Sequence, residues 1–209
     1  MMLPRPHAAR TLALATLLLI LSANLLVAQT ASPNRAVEAG RQALMEAEQA
    51  HLWRVAAWGG LNVAGGLALA LASPRSTRPA RWSFGMMSAG WGVVNVGIGA
   101  VALATASAPA ASLDAVLGAE RTFHDVLLLN LGLNVGYAGV GAAMLMAGYR
   151  DVSHPAAWRG YGSALILQGA GLLVLDSVAF LASRTRLGDL LDATVSASAH
   201  VAPGRVALT

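Results

Sequence analysis

The chain has 209 residues, of which 56% are hydrophobic and only 11% charged, with a formal net charge of +4. A soluble domain usually carries about 25% charged residues, so a water-soluble fold would lack polar surface, and lipid contact has to replace it. There is no cysteine, which excludes disulfides, thiolate metal sites, a cysteine nucleophile and a lipoprotein anchor. The 14 basic residues are scattered arginines, without the basic patch and interleaved aromatics that nucleic-acid binding needs.

The chain opens with Arg5 and Arg10 ahead of an apolar run from Thr11 to Ala28. A positive region followed by an apolar stretch has the form of a signal peptide, and Leu26-Val27-Ala28 offers a cleavage point before Gln29. Residues 1–28 are therefore expected to be a signal segment, the alternative being an uncleaved helix. Residues 29–50 follow as an extracytoplasmic lead-in. Pro33 suits a first helical turn after Ser32, and Val37, Leu44 and Met45 recur at helical spacing, which predicts a short surface helix.

Four apolar stretches come next: Leu52–Ala72, Phe84–Ala106, Val126–Ala147 and Tyr161–Ala182. Each exceeds the ~20 residues that a membrane-spanning helix needs. Short connections favour antiparallel neighbours. The expected fold is all-α: an integral membrane four-helix up-down bundle over residues 51–183. The loop 73–83 carries Arg75, Arg78 and Arg81 with no acid, whereas 107–125 carries Asp114, Glu120 and Asp125 against Arg121. The positive-inside rule puts the arginine loops in the cytoplasm and both mature termini outside. The tail 184–209 is polar, with Leu187, Leu190, Leu191 and Val195 placed to line one side of a short interfacial helix.

The spans carry a repeated pattern. Trp58-Gly59-x-x-Asn62 with Gly66 in the first span matches Trp91-Gly92-x-x-Asn95 with Gly99 in the second. Trp, Asn and Gly at i, i+4 and i+8 share one helix face. The third span has Asn130 and Asn134 at the same spacing, and the fourth has Gln168-Gly169 and then Asp176. Asn62 and Asn134 are 72 residues apart, and Trp91 and Gln168 are 77 apart, as are Phe84-Gly85 and Tyr161-Gly162. The bundle is read as two related helical hairpins, each helix with one polar face. Counting along the spans sets Asn62, Asn95 and Asn134 near the middle. It sets Trp58, Asn130 and Asp176 in the outer half, and Trp91 with Gln168 in the inner half.

In lipid an Asn or Gln must find a partner, so these residues are read first as glue between helices, helped by small residues such as Gly132-x-x-x-Gly136. Asp176 stands apart as an ionisable group well inside a span, which by default suggests function; Asn130 or Trp58 are its expected partners. His51 and His124 open spans one and three and read as interfacial. No close ligand motif joins them, so no metal is expected, and no cofactor. No hydrolase elbow, phosphate loop, dinucleotide fingerprint or metalloprotease motif occurs, so no catalytic residue is assigned.

The W-G-x-x-N repeats, Asn130-x-x-x-Asn134 and the Gln168-Gly169…Asp176 segment together resemble an uncharacterised family of small bacterial four-span membrane proteins. That resemblance implies the same fold and an inner-membrane location, and no activity. The expected function is non-enzymatic, a structural or accessory subunit with the lipid bilayer, its own copies or other membrane subunits as partners. One alternative is a module binding or transporting a small molecule or lipid on the polar face around Asn62, Asn95, Asn134, Gln168 and Asp176. The other is a membrane enzyme using Asp176.

Overall fold

The computed structural model describes residues 6–201, with side chains from Arg35 through Asp192 and at Thr194 and Val195. The expected signal segment, 1–28, lies outside the residues whose side chains are described. Four helices make up the described chain: α1 Pro6–Leu71, α2 Pro79–Thr105, α3 Leu113–Ala147 and α4 Pro155–Val201. All four are long and apolar enough to cross a membrane.

Local chemistry sets the ends. Pro79 opens α2, where a missing N–H is no loss and φ is already helical. Ser112 caps α3 by accepting the Ala115 N–H at 3.3 Å, and Asp114 stands in the first turn, favourable against the helix dipole. At the other end the Gly148 N–H closes on the Met144 carbonyl at 3.0 Å. His154 precedes α4 with φ 59°, a left-handed turn residue ahead of Pro155 at the first helical position.

Two expected boundaries move. The lead-in is not a separate surface helix, because α1 continues unbroken from it into the span. Between Arg35 and Leu71 there is no proline, and Leu44 is fully buried. The tail is likewise not a short separate helix, since α4 runs on to Val201. Both extensions are held by one apolar cluster. Val116, Leu117 and Leu190 are buried in it, with Val37, Leu113 and Leu187 packed around them. Leu191 and Val195 stay exposed. Three helices thus project together beyond the apolar spans at one end, while α2 stops at Thr105.

Within the bundle α1 packs along α2 and α3 along α4, and the hairpins meet through α2 against α4, with α1 also touching α4 and α3. The neighbour order is α1, α2, α4, α3. Close hairpin packing rests on glycine. A methyl group at Gly59 would stand 2.7 Å from the Gly92 carbonyl oxygen, and one at Gly66 2.5 Å from that of Gly85. Those neighbours are backbone and cannot rotate away. In the second hairpin Gly162 lies on Gly141 and Leu145, and Gly169 on Asn134 and Ala138.

The two hairpins therefore use similar contacts in a definite register. Gly85 meets Gly66 and Ala70 as Gly162 meets Gly141 and Leu145. Gly92 meets Gly59 and Val63 as Gly169 meets Asn134 and Ala138. Helices α2 and α4 correspond 77 positions apart. Helices α1 and α3 correspond at 75, not at the 72 that pairs Asn62 with Asn134. Asn134 takes the place of Gly59, and Tyr137 that of Asn62. The Gly132-x-x-x-Gly136 pair, expected at a close approach, faces open space at both positions.

Gly59→Val is expected to destabilise the bundle by about 1–3 kcal/mol, the usual range for overpacking, whereas Gly60→Val, where nothing lies within 4 Å, leaves it unchanged. Unfolding of both variants in mixed detergent micelles checks the contrast.

Candidate functional site

Along the bundle interior the inward residues recur every seven positions, the spacing of a helix seam. Leu44, His51 and Trp58 lie in line on α1, Glu120, Leu127 and Asn134 on α3, and Asp176, Ser183 and Leu190 on α4. The two extensions continue the seams of their spans, so polar groups at the projecting end meet polar groups inside.

The first cluster centres on Asp176. Its Oδ2 accepts a hydrogen bond from Asn134 Nδ2 at 2.6 Å, and its Oδ1 lies 3.1 Å from His51 Nε2. All three residues are more than nine-tenths buried. The expected partners of Asp176 were Asn130 or Trp58, and the structure supplies neither. Asn130 sits half-buried on α3 and makes no hydrogen bond among the described residues. The seven-residue seam explains the difference, because Asn134 continues the line of Glu120 and Leu127, and Asn130 lies off it.

The second cluster centres on Gln168, which is 1% exposed. Its Oε1 accepts from Trp58 Nε1 at 3.1 Å and from Asn95 Nδ2 at 3.3 Å. Three helices share one oxygen. Trp58 reaches α4 because Gly171 leaves room, and a methyl group there would collide with the indole ring. Gln168 was expected level with Trp91, but Trp91 turns to Tyr137, with ring centroids 4.9 Å apart. Asn62 donates to the Trp58 carbonyl of its own helix at 2.8 Å and, among the described residues, makes no hydrogen bond across the bundle.

A third cluster lies nearer the end where α1, α3 and α4 project. Glu120 has no exposed surface. It accepts from Ser183 Oγ at 2.5 Å and from Arg186 through Nε and Nη2, both at 3.0 Å. This two-point pairing suits a guanidinium and a carboxylate. Phe123 touches both neighbouring clusters. Its ring is 6.1 Å from the His51 ring and 6.0 Å from the Arg186 guanidinium. His124 stacks on Phe180 at 4.3 Å.

Of the eight residues singled out in the sequence, Asn134 and Asp176 share one cluster, and Trp58, Asn95 and Gln168 another. Asn62, Trp91 and Asn130 join neither. Missed by sequence reasoning were His51, Glu120, Ser183 and Arg186. The missed signal was the seven-residue spacing, which ties His51 to Trp58 and Glu120 to Asn134 across the presumed span boundary. Among the described residues three buried nitrogens keep no partner: Gln168 Nε2, His51 Nδ1 and His124 Nδ1. Among the described residues no group of three His, Cys, Asp or Glu is placed to hold a metal ion.

Four helices long and apolar enough to cross a membrane, closed over polar clusters, are the build of a multi-pass membrane protein. The chain belongs to a family of unknown function (DUF6992), whose pattern matches residues 54–177. No curated protein and no solved structure matches it. The matched segment includes Trp58, Asn95, Asn134, Gln168 and Asp176, but not His51, Ser183 or Arg186.

Gln168→Leu leaves the Trp58 and Asn95 donors without an acceptor and is expected to lower stability by about 1–3 kcal/mol. Asn130→Leu is expected to stay within about 0.5 kcal/mol of wild type. Reversible unfolding in detergent measures both.

Proposed function

We propose that this chain is a small bacterial inner-membrane protein without catalytic activity, acting through its bundle as a structural or accessory subunit. The observation that carries the reading is where the polar side chains of the spans direct their hydrogen bonds. Gln168 bonds Trp58 and Asn95, and Asp176 bonds Asn134 and His51, so each cluster joins three helices. Interhelical bonds of this kind contribute about 0.6–1.7 kcal/mol apiece. They hold a bundle that has no hydrophobic drive of its own inside lipid.

The outward face supports the same reading. Leu61, Ile98, Leu129 and Val174 are exposed, as suits acyl chains or a neighbouring helix. Gly132, Gly136 and Gly139 stand open on α3 and would let a second copy or another membrane subunit approach closely. The arginine-rich loops 73–83 and 148–160 are assigned to the cytoplasm, and both mature termini to the outside after a signal segment. The matched glycine contacts support a derivation of the two hairpins from one repeated unit.

One observation favours a second reading, a module that binds or moves a small molecule or lipid along the polar face. Gln168 Nε2 is a buried donor without a partner, and such a group invites an acceptor.

Purification in mild detergent separates the two. The subunit reading expects a stable complex, with itself or another membrane protein, and no retained small molecule. A retained molecule that Asn95→Ala releases, with the fold intact, would overturn it. Topology is tested on the cysteine-free chain with single substitutions. An impermeant maleimide added to cells with a permeabilised outer membrane is expected to label Ser107→Cys and to spare Ser76→Cys.

A further inference from the structure

His51 and Asp176 form an ionisable pair inside the apolar part of the bundle. Asp176 lies 15 residues beyond Tyr161, about 22 Å along α4 at 1.5 Å per residue, within the outer part of a ~30 Å hydrocarbon layer. Its carboxylate is fixed on one side by Asn134 Nδ2 at 2.6 Å and on the other by His51 Nε2 at 3.1 Å. An Nε2–H donated to Oδ1 leaves the lone pair on Nδ1. That Nδ1 is buried and has no partner. A nitrogen base is thus held beside a buried carboxylate with its second position vacant.

We infer that His51 and Asp176 make a proton-binding site, with His51 Nδ1 as the acceptor and access from the end where α1, α3 and α4 project. One proton leaves hydronium and forms an N–H bond at the Nδ1 lone pair, and water is left behind. The imidazolium formed is neutralised by Asp176, so the pair goes from net negative to net zero. No electron moves and no other reactant is needed. Asp176 is a positioning residue for this step. It fixes the tautomer and ring orientation of His51, much as a carboxylate does for a histidine base elsewhere.

The access follows from what faces the pair. On α1, Glu48 lies one turn ahead of His51, within electrostatic reach of Glu120 and Arg186. On α3, Glu120 and His124 stand on the outer side, and on α4, Arg186 does. Helix α2 carries no ionisable group at that level, its only charged residue being Arg81 in its first turn. Phe123, in contact with both His51 and Arg186, separates the pair from the wetter cluster. Toward the opposite end the next groups are Gln168, Trp58 and Asn95, which do not titrate. Beyond them lie the glycine contacts Gly66–Gly85 and Gly141–Gly162. Between His51 and Trp58 the one charged residue is Arg54, exposed on α1, and no buried Asp, Glu, His or Arg lies in the spans from there to Arg81 and Arg159. The path has one mouth.

The test uses the full chain with nitrogen-15 in its histidines, reconstituted in lipid vesicles and observed by magnetic resonance. His51→Gln identifies the signals. Acidifying the side of residues 107–125 from about pH 8 to about pH 5, the range of histidine titration, is expected to convert His51 Nδ1 from a bare to a protonated nitrogen. Acidifying the opposite side alone is not. Labelling at Ser107→Cys reports how each vesicle preparation is oriented, so access is defined by the protein's own ends. The outcome therefore does not depend on the subunit reading or on cellular topology.

Asp176→Asn is expected to weaken proton binding at least ~tenfold, one pH unit, while Asp176→Glu retains it. Phe123→Ala is expected to speed the conversion after a pH jump without moving its midpoint, which a purely structural phenylalanine would not do. The inference is overturned by an Nδ1 that never changes state in this range, by conversion driven equally from both sides, or by an unchanged midpoint in a folded Asp176→Asn. Should that variant fail to fold, the sidedness in wild type and the rate in Phe123→Ala decide alone.

Discussion

Hydrocarbon offers no hydrogen bonds, and the whole structure answers to that constraint. Backbone groups are satisfied by four uninterrupted helices. Side-chain amides, the indole of Trp58 and the Asp176 carboxylate are satisfied by one another across helices. The apolar belt that remains, including Leu61, Ile98, Leu129 and Val174, turns outward. Exposed leucine and valine would be a liability in water, and in lipid they are the solvent-facing surface.

Close helix contact and polar bonding depend on each other. Short polar side chains reach a partner only if backbones lie near, and here glycine sets that distance. Gly59 on Gly92 and Gly169 on Asn134 and Ala138 bring the hairpins in, and Gly171 opens the slot through which Trp58 reaches Gln168. The same logic separates two sorts of glycine in one chain. Those at helix contacts would meet backbone atoms if given a methyl, whereas Gly60, Gly132 and Gly136 face nothing. The sequence pattern W-G-x-x-N joins both requirements in a single turn, with the small residue next to the large donor.

The end where α1, α3 and α4 project carries a different chemistry from the centre. Three helices extend past the fourth and enclose a fully buried Glu120 with Ser183 and Arg186. An apolar cluster from Val37 to Leu190 closes above it. The Glu120 carboxylate has no exposed surface, so loss of Arg186 would leave a buried charge without its partner. Buried ionisable groups then thin out with depth, from Glu120 to His51 and Asp176, and to uncharged amides below. The buried ionisable groups thus lie toward one end, while the buried serines toward the other, Ser73, Ser83 and Ser88, do not titrate.

Composition, span length and arginine placement were enough to give a four-helix membrane protein, because the transfer of long uncharged stretches into lipid needs no knowledge of packing. The polar face of each span was also legible, since it follows from 3.6 residues per turn. Partner choice was not. Counting depth from presumed span ends set Gln168 beside Trp91 and Asp176 beside Asn130. The packing register instead gave Trp58 and Asn95 to Gln168, and Asn134 and His51 to Asp176. A shift of three residues, 75 against 72 between α1 and α3, is nearly a full turn, and it keeps the face while changing the neighbour. Glycine contacts between backbones fix that turn, and they exist only once the helices are brought together.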